Sequence, residues 1–347
     1  MDASRRRSRF PPRHRRVMLI FCILLAVFSL VSLSTVAQEV EAPPSEEIVA
    51  NLAAGRVIVA VVKDAILIGT IENPIEVQTH PPIPVAVTSV RAEVLLGAVD
   101  WVSPSSQIQI ARLDRELPRL RGTAGPGTPS LRSEHASGEA TDLESIGQAV
   151  FARFNEVLKD VHGKITLPQG EPLAQLIVAD YARDYGPEVW QLSFELKQEF
   201  QREDYFDSSV AHPVFLQFWP PEKGQPRELI EFQYPPESPS PMLMELLRQS
   251  DSRIEKLKSS DKKMAEVANL LLSGQSGKIL SADAIQFLRA ALDMLTPPKA
   301  RQTLAIITID EGLHWIVKPP AESKSPPSPG EKERPPDAPS LLKPSSP

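Results

Sequence analysis

Residues 57–62 (VIVAVV) are apolar at every position, and residues 65–71 (AILIGTI) repeat the run after Lys63-Asp64. β-Branched runs joined by so short a polar break predict a hairpin. Pro81, Pro82 and Pro84 then confine the next extended segment to an edge or a loop, and residues 92–102 (AEVLLGAVDWV) return to strand character. Ser103-Pro104 has the form of an N-cap followed by Pro at the first helical position. Ile110, Leu113, Leu117 and Leu120 keep helical spacing after it, so a helix is expected there, ended or kinked by Pro118.

A second patterned region opens at the capping box Thr141-Asp142-Leu143-Glu144. Leu143, Ile146, Val150, Phe154, Leu158 and Val161 then form one apolar stripe, with Gly163 as the stop. Trp190, Leu192, Phe194 and Leu196 alternate with Gln191, Ser193, Glu195 and Lys197, the period of a strand with one buried face. Two further hairpins are expected, 214–219 with 229–234 and 303–309 with 314–317, giving a five-stranded antiparallel sheet as the simplest assembly. Helical spacing covers 241–248, about 253–272, and 281–295 with Pro297 beyond. Strands, then helices, then strands predict the α+β class.

The ends of the chain differ from this middle. Residues 1–16 hold seven Arg against the single acid Asp2, and an apolar run of 21 residues follows at 17–37. That order addresses a chain for export. Thr35-Val36-Ala37 places small residues where a signal peptidase reads, so cleavage between Ala37 and Gln38 gives a soluble periplasmic or secreted chain. The alternative is an uncleaved transmembrane helix through 17–37, since a bilayer core is spanned by about 20 residues. Both readings leave the arginines in the cytoplasm and the remainder in the cell envelope. Residues 38–49 read as a spacer, 50–121 as a small β-rich unit with a closing helix, and 122–140, with four Gly and two Pro in 122–138, as a flexible linker. The α+β domain takes 141–318, and 319–347, with ten Pro, reads as a disordered, Pro/Ser-rich tail.

Charge narrows the partners. The 347 residues carry a net charge of −6; beyond residue 37, 31 basic and 43 acidic residues remain, a net charge of −12. Such a surface disfavours polyanions, and no basic run with interleaved aromatics follows, so nucleic acid is not an expected partner. The single cysteine, Cys22, lies inside the apolar run and excludes a disulfide framework.

No metal or other cofactor is expected, because the six His are far apart in sequence and no HExxH or EF-hand spacing occurs. No GxSxG elbow is present, and Gly274-Gln275-Ser276-Gly277 has the wrong spacing for one. Acids beside aromatics are the one catalytic pattern: Asp180, Asp184 and Glu188 around Tyr181, Tyr185 and Trp190, with Glu199, Glu203, Asp204 and Asp207 near Tyr205 and Phe206. A carboxylate-dependent, glycosidase-like hydrolase would use Asp184 and Glu188 with a third acid in a concave pocket. Export, two units and a Pro-rich tail without an assembled catalytic set favour a non-catalytic binding module. It would contact a protein or other envelope component through a strand edge or an aromatic patch at Trp190, Tyr205 and Trp219. A purely structural spacer is the third reading.

Overall fold

The computed structural model describes residues 50–73, 79–102, 109–120, 142–161, 163–167, 172–182, 186–202, 205–235 and 241–319. The expected leader with Ala37 and Gln38, the spacer, the linker and the tail lie outside these residues, as do Ser103, Pro104, Thr141 and Asp184. Among the described residues no helix is long and apolar enough to cross a membrane.

The architecture is α+β. One sheet holds β1 (Ala50–Ala53), β4 (Thr79–His80), β5 (Val85–Ala86), β6 (Arg91–Val102), β7 (Gln109–Arg112), β8 (Ala174–Ala182), β9 (Gly186–Phe194) and β12 (Val214–Trp219). Its order is β12-β9-β8-β6-β1-β4, with β5 and β7 also on β6. A second sheet holds β2 (Gly55–Val61), β3 (Ile66–Glu72), β13 (Ile230–Tyr234), β14 (Gln302–Thr308) and β15 (Gly312–Val317), in the order β13-β2-β3-β14-β15. Among the described strands, all ladders are antiparallel except β1 with β4. A separate two-stranded ribbon is made by β10 (Leu196–Arg202) and β11 (Tyr205–Val210). The helices are α1 (Leu113–Leu120), α2 (Asp142–Leu158), α3 (Leu243–Arg248), α4 (Ser252–Ser260), α5 (Lys262–Leu272) and α6 (Ser281–Leu295).

Alternation along β2 explains the layers. Val57, Val59 and Val61 join the core made with the eight-stranded sheet, while Ile58, Ala60 and Val62 join a second core with Leu247, Ile254, Leu271 and Phe287 of the C-terminal helices. Both faces of the five-stranded sheet are therefore covered at its centre, which is why β2 and β3 read as nearly continuous apolar runs. The eight-stranded sheet lies between it and α1 and α2: Phe154 of α2 packs on Phe194 at 5.3 Å, and Phe218 of β12 meets Phe232 of β13 edge-on at 4.9 Å. The result is a helix–sheet–sheet–helix sandwich. Each fully buried aliphatic side chain in it is worth about 1.5–3 kcal/mol.

The hairpins β2–β3 and β14–β15 and the stripe of α2 match their expectation, and every stripe residue from Leu143 to Val161 named above is buried. Four expectations are corrected. Ile110 lies on β7, because β8 pairs β6 only from Arg91 to Gly97 and β7 takes the flank that remains at Asp100 to Val102. The helix starts at Leu113 and carries Pro118 inside it. The expected 253–272 helix is two, because extended Asp261 breaks it and caps the second, its carboxylate accepting from the Lys263 N–H. Strands 214–219 and 229–234 are no hairpin: β12 pairs β9 and β13 pairs β2, so residues 220–229 cross between sheets.

No five-stranded sheet is built from the second region alone. Strands from both sides of residues 122–140 share both sheets, with β6 beside β8, β2 beside β13 and β3 beside β14. The polar stretch at 122–140 separates segments of sequence, and long-range pairing puts them back into the same sheets.

Candidate functional site

Arg91, Glu93, Asp180 and Glu188 sit in strand positions whose side chains share one face of the eight-stranded sheet. Arg91 stands opposite Asp180, and Asp180 opposite Glu188. All four are buried, at 1%, 0%, 3% and 1% exposure. The Arg91 guanidinium donates to Asp180 at 3.0 Å, and the Trp190 Nε1–H donates to Glu188 at 3.4 Å. Burying one ion costs several kcal/mol, so carboxylates at this depth are held by ion pairs and hydrogen bonds. The arrangement anchors three adjacent strands, and among the described residues Glu188 is enclosed in the sheet rather than presented at a surface.

The three aromatic candidates do not form one patch. Trp190 stands opposite Gln217 and Trp219 opposite Val189, so the two indoles project from opposite faces of the sheet. Trp219 is 6% exposed, with the Arg227 guanidinium 5.7 Å from its ring centroid. Tyr205 begins β11 on the separate ribbon and is 42% exposed.

That ribbon continues the last two strands of the sheet. The Ala211 N–H donates to the Glu195 carbonyl at 2.9 Å, linking the β9–β12 ladder to the β10–β11 ladder. Its base is fixed: the Val210 N–H donates to Asn155 of α2 at 3.0 Å, and Gln198 accepts from the Ile165 N–H and donates to Ser208. Its far end exposes apolar surface. Phe200 is 64% exposed and packs edge-on against Phe206 at 5.6 Å. On β12, Val214 and Leu216 are 51% and 48% exposed and Gln217 is exposed too, while Phe215 and Phe218 are half-buried and Trp219 is buried. Phe215 lies under α2, where a Cβ on Gly147 would come within 2.7 Å of its ring. Val214 and Leu216 face the side of the five-stranded sheet, but that sheet ends at β13 and leaves them uncovered.

Two polar clusters elsewhere are structural in form. Glu231 accepts from the N–H groups of Leu243 and Met244, and burial raises its carboxyl above the ordinary value. Arg56 donates to Gln233 at 3.1 Å and to the Pro241 carbonyl at 2.8 Å, and burial lowers its guanidinium. Among the described residues no three His, Cys, Asp or Glu side chains are grouped to hold a metal ion.

Of the residues singled out in the sequence, Glu188 and Trp190 meet, Tyr205 and Trp219 stand apart, and Asp184 is outside the described residues. Phe200, Val214 and Leu216 were missed. For Val214 and Leu216 the signal was present: VFLQFW is an uncharged strand between Pro213 and Pro220, the marking of a strand at a sheet edge. No family model matches the chain, and no curated protein matches it.

Proposed function

We propose that the protein is a non-catalytic interaction module of the cell envelope, and that its contact surface is the β9–β12 edge with the β10–β11 ribbon. One observation carries this reading. Among the described residues, four of the five exposed large apolar side chains, Phe200, Tyr205, Val214 and Leu216, lie within 17 residues, two on the ribbon and two on the adjoining β12. Scattered exposed apolar residues are ordinary, whereas a concentration on one stretch of chain marks a contact site. The best-placed acids, by contrast, are buried in the sheet. Placement in the envelope rests on the arginine cluster and apolar run of residues 1–37.

The test is photo-crosslinking in an exporting bacterial host, with a benzophenone side chain incorporated at position 200, 216 or 280. Leu280 is 49% exposed at the start of α6, away from the ribbon. Adducts of defined mass at 200 and 216, with none at 280, support the reading. Equal, diffuse labelling at all three positions would overturn it.

A further inference from the structure

We infer that the partner of the β10–β11 ribbon is a cationic polypeptide, whose arginine or lysine side chains lie against Glu199 and Asp207 on one face of the ribbon and which receives Phe200 on the other. This rests on the binding-module reading and names the chemistry of its partner.

Register sorts the ribbon into two faces. Glu199 stands opposite Asp207 and Lys197 opposite Ser209; these pairs alternate with Leu196 opposite Val210, Gln198 opposite Ser208 and Phe200 opposite Phe206. The second set turns towards the body of the protein: Leu196, Gln198 and Phe206 are half-buried, and Ser208 and Val210 are buried. Only Phe200, at the far end, leaves that cover. Along the first face Lys197, Glu199, Asp207 and Ser209 are all exposed, and so is Tyr205, two residues before Asp207 on the same strand. The acidic face is thus left bare along its length.

Charge selects the occupant. Opposite residues of an antiparallel pair hold their Cβ atoms about 4.5–5.5 Å apart, so the like charges of Glu199 and Asp207 work against the pairing of their own strands. Among the described residues neither carboxylate has an ion pair or a hydrogen bond, and Lys197 on the same face pairs with neither. Residues 195–210 as a whole carry five acidic and two basic side chains. A cationic group brought between the two carboxylates relieves their repulsion, and Tyr205 on the same face offers a ring of the kind that attracts cations. Polyanions and acidic lipid surfaces are repelled by the same charges. Among the described residues no third acid or His joins the pair, so the set is too small for a metal ion, whereas a guanidinium or ammonium group needs only the two carboxylates.

Phe200 adds the apolar half. It is 64% exposed, and its ring is braced edge-on by Phe206 at 5.6 Å. The partner therefore combines a basic surface with an apolar recess, one for each face of a ribbon two strands wide.

The experiment compares two acid pairs on the full chain. Glu199→Gln with Asp207→Asn removes the pair on the ribbon, and Asp310→Asn with Glu311→Gln removes an exposed pair of equal charge at the β14–β15 turn. Binding of a fluorescent oligo-arginine peptide to the chain in nonionic detergent, followed by anisotropy, is expected to weaken about tenfold for the ribbon variant and less than about twofold for the turn variant. In the exporting host, photo-adducts at position 200 should fall by a similar factor in the ribbon variant alone, while far-UV circular dichroism stays unchanged in both. Equal weakening by the two pairs would mean that overall acidity binds the peptide, and overturns the inference. Adducts at 200 that persist undiminished in the ribbon variant also overturn it, and leave the binding-module reading standing. Absence of adducts at 200 in the parent chain removes that reading as well.

Discussion

β2 and β12 have nearly the same hydrophobic content, GRVIVAV against VFLQFW, and opposite fates. Every residue of β2 is buried, while β12 buries only Trp219 fully. β2 has β13 and β3 on its two sides, one core above it and another below. β12 has β9 on one side and cover from α2 and β13 over part of its length. An apolar run thus specifies a strand, and the number of neighbours decides whether that strand is core or contact surface.

The largest effect should come from charge in the same division. Arg91→Met leaves Asp180 buried without its guanidinium and is expected to cost about 3–5 kcal/mol, whereas Glu199→Gln on the exposed ribbon should stay within about 0.5 kcal/mol. Urea denaturation of both variants checks this, and a small loss for Arg91→Met would mean that the ion pair contributes nothing to the fold.

The apolar counterpart is next in size. Ile58→Ala should cost about 2–5 kcal/mol because Ile58 is fully enclosed, and Leu216→Ala about 0.5 kcal/mol or less. Comparable losses would show that β12 is covered in solution. Gly147→Val sharpens the point at the seam between the two environments. A Cβ there meets the Phe215 ring at 2.7 Å and Pro213 at 3.2 Å, so overpacking should cost about 1–3 kcal/mol. Calorimetry would read it as a lowered Tm, and an unchanged Tm would mean that α2 and β12 can separate without loss.

Local patterns were legible wherever the solution is local. The α2 stripe, the two tight hairpins and the start of α6 depend on spacing within a few residues, and each appears where its spacing puts it. Pairing across the chain was not legible. The alternation of 214–219 and 229–234 suits any antiparallel neighbour, and only the long-range fit assigns β9 to one and β2 to the other. The same limit applies to the site. In sequence Asp180 and Glu188 read as acids beside aromatics and Arg91 and Glu93 carry no signal of their own, and only strand register gathers the four on one buried face. Trp190 and Trp219 suggest one aromatic patch until the register places them on opposite faces.

The smallest effect concerns the closed edge at β4, whose His80 contrasts with the uncharged open edge of β12. Burial lowers the His80 pKa from the ordinary 6.5, against the pull of Asp114 and Asp100 towards the charged form; Arg112 acts with burial, and the Pro81 carbonyl, 3.4 Å from Nδ1, acts against it. The folded chain therefore holds His80 neutral where the unfolded chain accepts a proton. Above the unfolded value neither state is protonated and no stability is lost through this group. As pH falls below 6.5 the unfolded state binds its proton first, so stability declines until the folded value is passed. His80→Asn removes that linkage. Denaturation midpoints at about pH 8 and about pH 5.5 should show a smaller acid loss in the variant than in the parent, since all other titrating groups are shared. Equal acid losses would mean that His80 is solvated at its edge, and that β4 is as open as β12.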